Sequence, residues 1–265
     1  MTEAAFFDLD KTVIARSSTL LFGRPLYKEG LIPRATILKG AYAALVYQIV
    51  GADENKMDKM RVALLELTKG WEAEKIRQIS RETLTELIEP IIYSEALHMI
   101  QMHRNSGRRV YLVSSSGDEI VRPLADYLGV PYAIGSKAEI VDGRYTGELT
   151  FYCQGEGKRT AIMEEAERHG IDLSRSYAYS DSATDIPMLE TVGHPVAVNP
   201  DKELRKIATE RGWEILVFRN PISLRKRIAG VPRPEPRTAM IAGVAAVGLL
   251  AAVYAYRTRA SRRHA

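Results

Sequence analysis

The residues MTEAAFFDLDKTVI open with an apolar run, 4–7, that stops at two carboxylates, Asp8 and Asp10, with one leucine between them and Thr12 just beyond. A short apolar run reads as a buried strand. Burying an unpaired charge is costly, so acids at such a strand's end mark a place where charge is used. Two later runs repeat the arrangement. "RVYLVSSS" ends in Ser114, Ser115 and Ser116, and "SYAYSDS" runs into Asp181, with Asp185 four residues on. Helical patterns separate these runs, and strands alternating with helices predict a doubly wound parallel sheet. In such sheets, sites lie beyond the carboxyl ends of the strands, so the three polar ends are expected to meet. Gathered carboxylates repel unless a cation joins them. Carboxylate oxygens and water, often beside a substrate phosphate, are what Mg²⁺ prefers.

The remaining pattern fills in this frame. Residues 17–88 read as helices, with "MRVALLELTKGWEAEKIRQISRETLTELI" periodic and Pro33 suited to a first turn. This block, inserted after strand one, is expected to form a separate cap. Gly107 should stop a helix before a strand at 110–113, and Asp142-Gly143 signals a hairpin. "GKRTAIMEEAERHG" reads as a helix ending at Gly170, and "PVAV" and "WEILVF" as strands around the helix "DKELRKIATERG".

Charge divides the chain. The whole carries +4, with +5 in residues 219–237 and +4 in 257–265, so residues 1–218 carry −5. An acidic body with basicity at one end argues against a nucleic-acid surface. Between the basic clusters lies "TAMIAGVAAVGLLAAVYAY", residues 238–256, uncharged and 19 residues long. As a helix it would match the hydrocarbon core of a bilayer, with Tyr254 and Tyr256 at the interface. It is expected to be a C-terminal transmembrane anchor. Ala239, Gly243 and Val247, with Gly248 and Ala252, give partial small-residue faces that would support a homo-oligomer through this helix. No basic leader precedes an apolar stretch at the start, and the single cysteine, Cys153, permits no intrachain disulfide. The expectation is a single-pass cell-membrane protein with its catalytic domain in the cytoplasm.

On its motifs the chain resembles the haloacid dehalogenase superfamily, in the phosphoserine-phosphatase-like branch (subfamily IB). "DLDKT" matches the first motif, Asp-x-Asp-x-Thr. "LVSSS" matches the second, Lys158 in "GEGKRTA" the third, and "YSDSATD" the fourth, with acids at Asp181 and Asp185. The resemblance implies an α/β, Rossmann-like catalytic core, residues 1–16 and 88–222, with an inserted helical cap, 17–87. A basic Pro-rich linker, 223–237, the membrane helix, 238–256, and a basic tail, 257–265, would follow. It also implies a Mg²⁺-dependent phosphomonoester hydrolase. Asp8 would attack phosphorus to form an aspartyl-phosphate, and Asp10 would act as general acid and then base. Asp8, Asp181 and the Asp10 carbonyl would hold the metal, with Asp185 orienting the metal shell and Lys158. Ser114, Ser115 and Lys158 would hold phosphoryl oxygens, helped by N–H groups at a helix start. Arg61 in "KMRVALL" could match the arginine that contacts a substrate carboxylate. Having Asp10 as well as Asp8 sets the chain apart from dehalogenases and P-type ATPases.

The chain also departs from that pattern. Lys11 stands where Gly or Ser is usual, and Ser17 where phosphoserine phosphatases have a Glu that contacts the substrate amine. Ser180 and Thr184 stand where Gly and Asn are common. The resemblance implies a small phosphorylated metabolite, phosphoserine-like, as substrate, while these departures count against phosphoserine itself. Residues 35–50, "ATILKGAYAALVYQIV", read as a buried cap helix or as a face resting on the bilayer; the second would suit a lipid-like phosphate. Two other classes stay open: a weakly catalytic, membrane-anchored regulator, and a transmembrane interaction protein.

Overall fold

The structure is a computed structural model and describes residues 2–33, 54–83 and 91–220. Seven strands form one sheet: β1 Ala4–Asp8, β2 Arg109–Gly117, β3 Tyr132–Val141, β4 Arg144–Phe151, β5 Tyr177–Ser180, β6 His194–Val198 and β7 Glu214–Leu216. Their order is β4-β3-β2-β1-β5-β6-β7, and every neighbouring pair is parallel except β3 with β4. The described helices are α1 Ser18–Lys28, α2 Glu54–Thr68, α3 Ala73–Thr83, α4 Ser94–Asn105, α5 Asp118–Tyr127, α6 Glu156–His169, α7 Ile186–Leu189 and α8 Lys202–Arg211. This is the expected doubly wound α/β sheet.

β1 takes the centre because both its faces are apolar. Ala5 and Phe7, continued by Leu9, enter a core shared with Ala96 and Ile100 of α4 and Val121 and Leu124 of α5. Ala4 and Phe6 enter the opposite core with Ile162 of α6, Met188 of α7 and Leu204 of α8. Side chains alternate across a strand, so Leu9 belongs with Phe7, and Asp8 and Asp10 escape that core. Phe7 stacks on Tyr179 at 4.3 Å, their planes 5° apart, which helps hold β1 and β5 in the register that pairs Phe7 with Tyr179.

The expected hairpin is present. Asp142 and Gly143 have φ of 49° and 76°, the left-handed pair of a type I′ turn. The helix of the third motif ends at Gly170 in left-handed conformation, also as expected. β2 is longer than expected: it runs past Val113 to Gly117, with a register shift against β3 over that stretch.

The chain leaves and re-enters the core at one place. The Ala15 N–H donates to the Ile91 carbonyl at 2.8 Å, and the Tyr93 N–H to the Val13 carbonyl at 3.0 Å. The inserted segment is also tied to the β3–β4 hairpin. Gly70 donates to the Tyr145 carbonyl at 2.8 Å, Tyr145 to that of Trp71 at 3.0 Å, and Ala73 to that of Gly143 at 3.0 Å. The Arg144 guanidinium adds a bond to the Gly70 carbonyl at 2.8 Å.

Residues 35–50, the linker and the candidate membrane segment, 238–256, lie outside the described residues. Among the described residues no helix is long and apolar enough to cross a membrane.

Candidate active site

Sheet register assembles the site. Asp8, the last residue of β1, pairs with Val113 on one side, and Phe7 pairs with Tyr179 on the other. The next residues of β2 and β5, Ser114 and Ser180, therefore flank the carboxylate where strand order reverses, the usual ligand crevice of such sheets. Lys158, in the first turn of α6, enters from the opposite core and is 2% exposed. Its Nζ lies 2.6 Å from Asp8 Oδ1 and 2.7 Å from Asp185 Oδ2. Ser180 Oγ donates to the same Asp185 oxygen at 2.6 Å, which gives the serine at this position a use that glycine would lack. Asp201, the N-cap of α8, braces the fourth motif: its Oδ2 accepts from the Ala183 N–H at 3.0 Å, and its own N–H donates to the Asp181 carbonyl at 2.8 Å.

Lys158 depends on its neighbour for its position. A Cβ on Gly157 would lie 2.0 Å from the Tyr152 carbonyl oxygen, so this turn of α6 can pass the β4 exit only with glycine there. Gly155, the N-cap, has φ 54°.

Asp10 is turned onto the first turn of α1. Its Oδ1 accepts from the Ser18 N–H at 2.9 Å, and its Oδ2 from the hydroxyls of Ser18 at 3.2 Å and Ser17 at 3.4 Å. The Ser18 hydroxyl also meets that of Ser116, at 2.8 Å. Between the two acids and Thr12, Lys11 has φ 62°, a left-handed conformation that glycine adopts most readily. Its side chain is exposed, near enough for its charge to act on Asp181.

Burial dominates the electrostatics. It pushes the Asp8 carboxyl well above the usual carboxylate range; Lys158 pulls it down, and Asp185 and Asp181 push it further up. Burial likewise raises Asp181, to about 7, with Lys11 opposing and Asp185 adding. Asp10 is raised by burial against the bonds from Ser18. Burial opposes the Lys158 charge, but Asp185 and Asp8 outweigh it and hold the ammonium protonated.

Three buried carboxylates, Asp8, Asp181 and Asp185, thus face one buried lysine. That excess of negative charge suits a cation. Among the described residues no three His, Cys, Asp or Glu side chains group to hold a metal by themselves. Asp8 and Asp181 offer two hard carboxylates, and Asp185 is engaged by Lys158 and Ser180. A site with one or two carboxylates that leaves room for water and substrate oxygen fits Mg²⁺ better than a metal needing a full protein cage.

The other expected site residues are placed as follows. Ser114 is buried, and its Oγ accepts from the Ser116 N–H at 3.1 Å. Ser115, on the opposite side of the extended backbone, is exposed, so its side chain does not join Ser114. Arg61 of α2 lies over the Tyr152 ring, 5.2 Å from its centre, at the β4 exit that leads to α6. The buried Thr12 hydroxyl has no hydrogen-bond partner among the described residues. The sequence singled out neither Ser18 nor Asp201, and Ser116 only as part of a polar strand end. Ser17-Ser18 before an apolar stretch was a helix-start signal, and Asp201 before "KELRKIA" another, but neither told what it would touch.

Comparison with known proteins bears on the family of the chain. The family model for haloacid dehalogenase-like hydrolases matches residues 5–190. A probable phosphatase of Mycobacterium tuberculosis is 49% identical over 248 residues, covering 94% of this chain and 85% of that one. A phosphoserine phosphatase of the same organism is 37% identical over 259 residues, 97% of this chain and 82% of that one. A histidinol-phosphatase of Neisseria meningitidis is 34% identical over 225 residues, 83% of this chain and all of that one.

Proposed function

The chain belongs to the haloacid dehalogenase-like hydrolase family and is a phosphatase, and from that premise we propose that it is a Mg²⁺-dependent phosphomonoesterase working through an aspartyl-phosphate on Asp8. One observation supports this most: the last carboxylate of the central strand is buried against Lys158 at 2.6 Å, with Asp181 close enough to raise its pKa. Mg²⁺ would be held by Asp8, Asp181 and the Asp10 carbonyl, and would neutralise charge on phosphoryl oxygens.

In the proposed cycle an oxygen of Asp8 attacks phosphorus. The bond from phosphorus to the ester oxygen breaks, and that oxygen takes a proton from Asp10. Water then attacks phosphorus, gives its proton to Asp10, and releases phosphate with the Asp8 carboxylate restored. Lys158 stays beside Asp8 throughout and offsets the growing charge, while Ser114 and the start of α5 face the phosphoryl group. The raised Asp10 pKa favours the protonated form that the first step consumes.

The substrate we propose is a small phosphorylated metabolite, phosphoserine-like, since relatives bear the names of phosphoserine and histidinol phosphate phosphatases. A lipid-like phosphate is the second reading. It is favoured by the uncharged 19-residue segment, 238–256, flanked by basic clusters, which we propose anchors the catalytic domain to the cytoplasmic membrane face. The intact set of Asp8, Asp10, Lys158 and Asp181 speaks against a regulator with little catalysis. The test is phosphate release from a panel of metabolite and lipid phosphates, with Mg²⁺ and with chelator, for the full chain and a chain ending before Thr238. Turnover that needs Mg²⁺ and is lost in Asp8→Asn is expected; equal turnover in excess chelator would overturn the proposed site. The shorter chain should leave the membrane fraction with its activity, and a full-length chain that is already soluble would remove the anchor.

A further inference from the structure

We infer that Ser116 is a positioning residue for the general acid, acting on Asp10 through the hydroxyl of Ser18; this rests on the reading of Asp10 as acid and base. Ser18 is fully buried and Ser116 is 8% exposed, with their hydroxyl oxygens 2.8 Å apart. Ser18 grips both oxygens of Asp10, with its N–H on Oδ1 at 2.9 Å and its hydroxyl on Oδ2 at 3.2 Å. A two-point hold of this kind fixes the plane of the carboxyl group and not only its distance.

The Ser18 hydroxyl can keep its hold on Oδ2 only while its own rotamer is fixed. Ser116, on the far side of that hydroxyl, supplies the fixing contact. It is itself anchored, since its N–H donates to Ser114 Oγ at 3.1 Å. A continuous path therefore runs from Ser114, at the phosphate end of β2, through Ser116 and Ser18 to Asp10. It joins residues 98 positions apart in the chain, and it ties the acid's aim to the strand that holds the phosphoryl group.

A serine hydroxyl carries one proton and two lone pairs. Either oxygen of the pair can be the donor. With its own proton on Asp10 Oδ2, Ser18 has lone pairs left to accept from Ser116, so the two contacts are compatible in one rotamer. Alanine at 116 would leave the Ser18 hydroxyl without its second partner.

The experiment compares two leaving groups on the full chain with Mg²⁺: p-nitrophenyl phosphate, whose phenolate leaves with little help, and glycerol 2-phosphate, whose alkoxide needs a proton. Ser116→Ala should lower kcat/KM, which reports only the steps up to release of the leaving group, by roughly 3- to 10-fold on glycerol 2-phosphate, the worth of one hydrogen bond, and by less than about 2-fold on the aryl ester. Ser18→Ala should lower it at least as much, and the double variant no further, because Ser116 works only through Ser18. Asp10→Asn should show the same leaving-group pattern with a larger loss. If Asp10→Asn discriminates between the substrates and Ser116→Ala does not, or if the two serine losses multiply, the bridge is overturned and Asp10 keeps its role. If Asp10→Asn also loses equally on both, the reading of Asp10 falls too. Should Ser116→Ala melt below the assay temperature, Ser18→Ala breaks the bridge from the other side, and restored alkyl turnover in Ser116→Thr is the expected rescue.

Discussion

Asp181→Asn should make the metal-free protein more stable even though it damages the proposed site. Asp181 is 7% exposed, and burial pushes its carboxyl from its ordinary value of 3.8 to about 7. In the unfolded chain the group loses its proton near pH 4, whereas in the folded protein it keeps it up to about 7. The folded state therefore binds more protons between these values. Its stability is fullest below the unfolded pKa and falls as pH rises through the folded one. At about 1.4 kcal/mol per unit, the loss reaches roughly 4 kcal/mol by pH 8. Asparagine keeps the shape and carries no charge, so the variant escapes that loss. For a domain of this size about 1 kcal/mol moves Tm by 2–4 °C, so a gain of several degrees is expected at pH 8 in chelator. At pH 5 the gain should shrink to less than half. Mg²⁺ should stabilise the native protein more than the variant, because the cation offsets the same charge. The assay is thermal unfolding by circular dichroism at pH 5 and 8, with chelator or Mg²⁺. A variant no more stable than the native protein at pH 8 in chelator, or a gain equal at both pH values, would refute the reasoning.

Other expectations follow from the same geometry. Asp8→Asn should abolish turnover while leaving the circular dichroism spectrum unchanged; single-turnover assays with p-nitrophenyl phosphate check this, and retained turnover would exclude Asp8 as nucleophile. Lys158→Met leaves Asp8 and Asp185 buried without their cation, so it should destabilise the fold by about 3–5 kcal/mol near neutral pH in urea unfolding as well as remove activity. A variant of native stability would mean that the pair is not buried in solution. Gly157→Ala drives a Cβ against the Tyr152 carbonyl, and overpacking of this sort should cost about 3 kcal/mol and lower kcat by displacing Lys158. A variant with native kcat would show that the turn can yield.

What was legible in the sequence was mostly local. The apolar run before Asp8 announced a strand because its residue types admit little else, and Asp142-Gly143 announced a turn because two left-handed residues are needed there. Leu9 could be placed in the core from alternation alone. Lys158 drew attention through its motif, but its grip on both Asp8 and Asp185 depends on residues 150 and 27 positions away. The Ser18–Ser116 contact could not be read from either serine's neighbourhood, because it depends on where α1 starts relative to the end of β2. Motif matching treats the serine triplet as one unit, whereas an extended backbone turns alternate serines to opposite sides, which leaves Ser115 exposed between buried Ser114 and Ser116. β2 ran past its apolar stretch because the strand signal was hydrophobicity, and its last residues are serines and a glycine.

The bonds that tie the inserted segment to the hairpin have a second consequence, for solubility. A sheet's outermost strands offer unpaired N–H and carbonyl groups that can recruit another chain. Here β7 is only three residues long. At β4, both backbone polar groups of Tyr145 are satisfied by Gly70 and Trp71. Beside them, the carbonyl of Leu65 in α2 and the side chain of Lys69 just after that helix close over Gly147, within 3.5 Å of where its Cβ would be. The inserted segment thus denies this part of β4 to strangers. A minimal core made by excising residues 17–87 would uncover that edge, and it should aggregate rather than survive as a small, open phosphatase.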